Sequence, residues 1–143
     1  MALFGLEGSP DHGARAALNW ALSMLEKLGN LNKQLAYELS EPLAMGIGIH
    51  TGDAIVGRMG PPKTPIISAV GDSVNTAARL ETSSKELHVP LVVSLDTLRS
   101  SALEASLPLQ EIALRGRTDR LNVVAFDEAT LRQLLHDAFA ANV

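Results

Sequence analysis

Between Met45 and His50 the sequence alternates strictly, with Met45, Ile47 and Ile49 on one face of an extended strand and Gly46, Gly48 and His50 on the other. Glycine gives a strand no side chain to pack, so two of them leave one face bare for close approach by another backbone or by a ligand. The pattern alone leaves both occupants open. With 143 residues, 46% of them hydrophobic, the chain suits one domain with a sizeable core. Aromatic residues are only 3% of it, so that core is aliphatic.

Helices and strands alternate on either side of this strand. Ser9-Pro10-Asp11 is a helix start, with a hydroxyl at the N-cap, proline at the first helical position and a carboxylate near the positive end of the dipole. Leu18, Leu22, Leu25, Leu28, Leu35 and Leu39 follow at mostly three- and four-residue steps, the stripe of a core-facing helix, with a break expected at Gly29-Asn30. Upstream, residues 2–6 read as the tail of a strand. Beyond Thr51-Gly52-Asp53, residues 54–57 and 65–70 are expected as two short strands around a Pro61-Pro62 loop.

A second helix is expected from Val74 to Leu87, capped by Asp72 or Ser73. Its period places Val74, Ala77, Ala78, Leu80 and Leu87 on an apolar side and Asn75, Arg79, Thr82 and Glu86 on the opposite one. A strand over 91–94, a short helix to about Ser100, strands over 109–114 and 122–126, and a helix from Asp127 with Leu131, Leu134, Leu135 and Phe139 on its apolar face complete the chain. This order predicts an α/β (α+β) sheet covered by helices.

Twelve Lys and Arg against sixteen Asp and Glu give a net charge of −4, which together with the few aromatics argues against a nucleic-acid partner. Without cysteine there is no disulfide, thiolate zinc site or cysteine nucleophile. His12, His50, His88 and His136 form no His-x-x-x-His pair, and neither a Gly-x-Ser-x-Gly elbow nor a Walker loop occurs. No stretch approaches the roughly 20 apolar residues of a membrane span. What remains is a set of donors. Asn75 and Arg79 share one helical face, and Arg115, Arg117 and Arg120 crowd one short loop, which together suit an oligophosphate. Each feature by itself also fits an exposed, solvated face.

Gly46-Ile47-Gly48-Ile49-His50-Thr51-Gly52, followed by Val70-Gly71-Asp72-Ser73-Val74-Asn75-Thr76-Ala77-Ala78-Arg79-Leu80-Glu81, resembles the class III adenylate/guanylate cyclase catalytic domain in order and spacing. Leu114-Arg115-Gly116-Arg117 falls where that family has its basic phosphate-binding loop. The resemblance covers residues 1–127 and leaves 128–143 as a helical tail. It implies a ferredoxin-like βαββαβ sheet covered by helices, lacking its first strands, and the conversion of ATP to 3′,5′-cyclic AMP and pyrophosphate.

The roles it implies fall on particular positions. Arg79 stands where the family stabilises charge developing on the phosphates, and Asn75 where it orients the ribose. Arg115 matches the residue that grips the terminal phosphates, usually a lysine, and Arg117 is a second candidate for the same work. Ser68 occupies the base-selecting position, where its hydroxyl resembles the adenine version. Such donors suit phosphoryl chemistry, which is catalysed mainly by positioning and charge stabilisation.

The resemblance also implies Mg²⁺ or Mn²⁺ held by two aspartates, and a homodimer in which the metal aspartates of one protomer face the Asn/Arg helix of the other. In this register both aspartates precede Met1, so no residue of the chain is assigned to metal and the chain alone is expected to be catalytically incomplete. A nucleoside triphosphate substrate implies a cytoplasmic location. Two further readings stay open: a guanylate cyclase acting on GTP, and a catalytically silent cyclase-homology module that binds nucleotide or dimerises.

Overall fold

Helix α1, Pro10–Gln34, starts where expected, behind Ser9 and with Pro10 and Asp11 in the first turn, but the Ser9 hydroxyl makes no capping bond to the helix. The Ser9 hydroxyl beside Asp11 holds that carboxyl below its ordinary pKa. The computed structural model describes residues 1–103, 107–113 and 120–140, with Phe139 described in its backbone only. The break expected at Gly29-Asn30 is absent, and α1 runs through both residues. One glycine costs a helix only about 1 kcal/mol, and Glu26, one turn earlier, anchors this stretch through a 2.7 Å ion pair with Arg132. Leu35 and Leu39 therefore lie past its end.

Residues 2–6 form no strand. Gly5 packs so tightly on α1 that a Cβ added to Gly13 would stand 2.6 Å from its Cα, and Phe4 meets Trp20 edge to face, with ring centroids 5.8 Å apart. The apolar run covers a helix instead of joining a ladder.

The remaining elements are β1 (Ile47–Ile49), β2 (Ile55–Met59), β3 (Ile66–Val70), α2 (Asp72–Glu86), β4 (Leu91–Ser94), α3 (Leu95–Ser100), β5 (Gln110–Ala113), β6 (Arg120–Phe126) and α4 (Glu128–Ala140). Four strands form one sheet in the order β1-β4-β6-β5, while β2 and β3 form a separate two-stranded sheet. β1 runs parallel to β4, with Gly48 opposite Val92, and the other pairs are antiparallel.

Every residue of β4 is buried, and its side chains alternate between two layers. Leu91 and Val93 join Leu18, Val124, Phe126, Leu131 and Leu135 in one cluster, whereas Val92 joins Leu80 and Val123 in the other. Helices α1, α3 and α4 thus close one face of the sheet and α2 closes the other. A central strand buried on both faces reads as a continuous apolar run, as Leu91-Val92-Val93 does. The mixed α/β architecture with a helix-covered sheet agrees with the expected fold class. No helix among the described residues is long and apolar enough to cross a membrane.

Candidate active site

The bare face of β1 is filled by a helix. A Cβ on Gly48 would run into the α2 backbone at Ala77 and Glu81 and stand 2.8 Å from the Leu80 carbonyl carbon, and one on Gly46 would collide with the Ser84 hydroxyl. Of the two occupants the alternation allowed, a packed backbone is the one observed. The tight seat also decides which side of α2 turns inward. Thr76, Leu80, Ser83 and Ser84 are buried, while Ala78, expected on the core side, is exposed. Ala77, Leu80, Glu81 and Ser84 are what the two glycines meet, and the helical period of that contact turns Ala78 away from the sheet.

The N-terminus of α2 departs from expectation as well. Gly71, not Asp72 or Ser73, is the N-cap residue, at φ 156°, a conformation that side-chain-bearing residues rarely adopt. Its carbonyl accepts from Val74 N–H at 3.1 Å and from Asn75 N–H at 3.4 Å. The Ser73 hydroxyl turns outward and donates to the Asp53 carbonyl at 2.7 Å, tying the helix start to the turn after β1.

On this anchored helix Asn75 is exposed and Arg79, one turn on, is half-buried. Neither side chain is engaged in a hydrogen bond or ion pair among the described residues. Two planar donor groups therefore project from one face of a helix whose opposite face is locked to the sheet. Ser68 lies on β3 opposite Gly57, half-buried, and that strand leads through Gly71 directly into α2. The helix and the strand that carry these three residues pack against each other. Arg115 and Arg117 fall in the stretch 114–119, between β5 and β6, and lie outside the described residues. Arg120, at the head of β6, is spent on Glu111 across the hairpin at 3.1 Å.

His50, part of the glycine motif and of no metal-ligand pair, directly follows β1 with its ring half-buried and Nδ1 2.8 Å from the Ser94 hydroxyl. Burial pushes its pKa down, and the Asp96 carboxylate partly offsets this. The signal for it lay in the position, the last residue of the glycine strand on the helix-facing side. No three His, Asp or Glu side chains come together as metal ligands among the described residues.

The hairpin beside this face is unusual in what it exposes. Ile55, Ile66 and Ile67 are 76%, 64% and 63% accessible, and Val56 and Val70 join them.

Known proteins share this architecture and its sequence. A family model described as the adenylate and guanylate cyclase catalytic domain matches residues 1–126. An adenylate cyclase of Anabaena cylindrica is 24% identical over 131 residues, which are 86% of this chain and 25% of that protein. Retinal guanylyl cyclase 2 of Rattus norvegicus is 32% identical over 108 residues, 76% of this chain and 9% of the relative. The chain thus spans a small part of the length of either protein. Among solved structures, the guanylyl cyclase Cya2 superposes with a TM-score of 0.71 at 26% identity, covering 85% of this chain and 61% of that one. The adenylyl cyclase CyaB from P. aeruginosa shares the fold at a TM-score of 0.69 and 23% identity, with 87% of this chain and 65% of that one covered. Relatives named for adenylate and for guanylate occur side by side, and the glycine-seated helix with its outward Asn75 and Arg79 lies wholly inside the matched residues: the chain belongs to the adenylate and guanylate cyclase catalytic domain family.

Proposed function

We propose that the chain is an incomplete catalytic domain of a nucleotidyl cyclase that converts ATP to 3′,5′-cyclic AMP and pyrophosphate in a homodimer with its active sites at the interface, and that it supplies the Asn75–Arg79 half of such a site. In this reaction the ribose 3′ oxygen bonds to the α-phosphorus and gives up its proton to solvent. The bond from that phosphorus to the bridging oxygen breaks, and pyrophosphate leaves with the electron pair. Arg79 stabilises the charge that builds on the phosphates, and Asn75 holds the ribose. Arg115, with Arg117 beside it in sequence, grips the terminal phosphates. A guanidinium fork offers parallel donors to phosphate oxygens, and a preformed donor costs no reorganisation as charge develops.

The observation that carries this reading is the α2 face itself. Among the described residues Asn75 and Arg79 are unengaged donors, on a helix seated directly on Gly46 and Gly48. Mg²⁺ or Mn²⁺, when bound, supplies further charge neutralisation at the phosphates. The described residues group no ligand set for it, so no step is assigned to an ion on them. Ser68 tilts the reading to ATP, because its hydroxyl resembles the adenine version of the base-selecting position. The homodimer is supported by the exposed isoleucines of β2 and β3, an apolar surface of the kind that marks association. A nucleoside triphosphate substrate favours a cytoplasmic location.

The test mixes the full chain with a cyclase protomer that keeps its metal-binding aspartates but lacks its own Asn/Arg pair. ATP or GTP is added with Mn²⁺, and cyclic nucleotide is read by mass spectrometry. Cyclic AMP is expected, and Arg79→Ala should lower the yield by about 10²–10³-fold, the cost of one preorganised charge-stabilising donor, at unchanged circular dichroism. Cyclic GMP as the main product would transfer the reading to GTP. An Arg79→Ala variant as productive as the parent would overturn it.

A further inference from the structure

The placement of α2 is not left to the glycine contacts alone. At the end of β1 the His50 ring lies between two structures. On its Nδ1 side is Ser94, fully buried, whose hydroxyl is 2.8 Å away. That hydroxyl also caps α3 by accepting from Thr97 N–H at 3.3 Å and lies 3.1 Å from the Thr97 hydroxyl. Thr97 receives the Thr51 hydroxyl at 3.1 Å and reaches the Ile49 carbonyl at 3.5 Å. One imidazole and three hydroxyls thus knot the end of β1, the following turn and the start of α3.

On the other side of the ring lies the turn that touches α2. A Cβ on Gly52 would stand 3.2 Å from His50 Nε2 and 3.1 Å from the Ser73 Cβ, so this backbone is wedged between the ring and the first turn of α2. Asp53 continues the contact, because its carbonyl accepts the Ser73 hydroxyl at 2.7 Å and would lie 3.2 Å from a Cβ on Gly71. A continuous path of packed and hydrogen-bonded atoms therefore runs from buried Ser94 through His50 and the turn to the helix that carries Asn75 and Arg79.

We propose that His50 is a positioning residue for the Asn75–Arg79 face, holding the Thr51–Asp53 turn against the start of α2 through its bond to Ser94. The proposal rests on the reading of that face as the nucleotide site, and it adds a residue that touches no substrate. Its ring sets where the two donors stand. Half-burial and the packing of both ring edges suit that work, whereas a ligand-binding imidazole would need an open edge.

The test uses hydrogen–deuterium exchange on the full chain, alongside titration with a fluorescent ATP analogue and Mn²⁺. His50→Phe keeps a ring and removes both nitrogens, while His50→Asn restores a polar atom near Nδ1. In His50→Phe, the amides of Val74 and Asn75, which donate to the Gly71 carbonyl, should exchange about tenfold faster, the size of one lost hydrogen bond. Amides of β4 and β6 should keep their protection. Affinity for the analogue should fall by a similar factor, and His50→Asn should recover most of both effects. Ser94→Ala should reproduce the exchange pattern, and joined with His50→Phe it should add little, as expected for partners in one path. Unchanged exchange at Val74 and Asn75 would overturn the proposal. So would a rise shared equally by β4 and β6, which marks loss of overall stability. Arg79→Ala separates the two readings. If it binds the analogue as tightly as the parent, the nucleotide reading of the face fails, while the exchange result still decides whether His50 holds the helix.

Discussion

β3 and β4 are written in nearly the same alphabet, Ile66-Ile67-Ser68-Ala69-Val70 against Leu91-Val92-Val93-Ser94, yet they meet opposite surroundings. All four residues of β4 are buried, whereas Ile66, Ile67 and Val70 of β3 are exposed. The difference lies in neighbours. β4 has a strand on each edge and helices on both faces, while β3 has only β2 along one edge and α2 near its end. A lone two-stranded hairpin is marginal in water, and this one retains apolar side chains that its own fold does not cover. The first region uses its hydrophobic residues to hold the molecule together. The second keeps them on the surface beside the donors of α2, where a protomer contact belongs in the proposed dimer.

Four experiments would sharpen or break this contrast. Leu91→Ala should cost about 2–5 kcal/mol, as for large-to-small changes in packed cores, read as a lower urea midpoint. Gly48→Ala, at the seam between sheet and α2, should cost about 1–3 kcal/mol by overpacking. It should also weaken nucleotide binding, because α2 must move. If it bound nucleotide and unfolded as the parent does, the helix seat would be looser than the geometry shows.

The third is a pH effect at the junction of the two regions. His50 binds its proton less readily in the folded state than in the unfolded chain, because burial disfavours the charged ring. Stability is therefore fully present above the ordinary histidine pKa of about 6.5, and is lost as pH falls through the depressed folded value. Thermal melts from pH 8 to 5 should show this decline, and His50→Phe should flatten it. The smallest effect is expected on the exposed strand. Ile67→Ser should leave monomer stability within about 0.5 kcal/mol while weakening self-association in sedimentation. A stability loss comparable to that of Leu91→Ala would erase the contrast between the strands.

Much of the architecture was legible because its causes are local. The start of α1 follows from Ser9, Pro10 and Asp11, and the helical period alone puts Asn75 and Arg79 on one face. Residues 2–6 show where local reading stops. An apolar run next to glycine pairs as a strand if a ladder is beside it and packs on a helix if one is nearer, and here α1 is nearer. The face of α2 failed for a related reason. Ala78 is apolar, but α2 sits on Gly46 and Gly48 through Ala77, Leu80, Glu81 and Ser84, and the period of that contact turns Ala78 to solvent. His50 lay inside the glycine motif without a role that spacing could reveal, since its partner Ser94 is 44 residues away.

By itself, then, the amino-acid order determined the alternation of helices and strands, the aliphatic character of the core and the pairing of Asn75 with Arg79, all of which depend on spacing and residue type within a few turns. Tertiary structure alone decided what fills the bare face of β1, which strand keeps its apolar side chains exposed, and how the turn after His50 anchors α2. Those outcomes depend on which surfaces compete for the same space, and residues distant in sequence settle that competition only when the chain has closed.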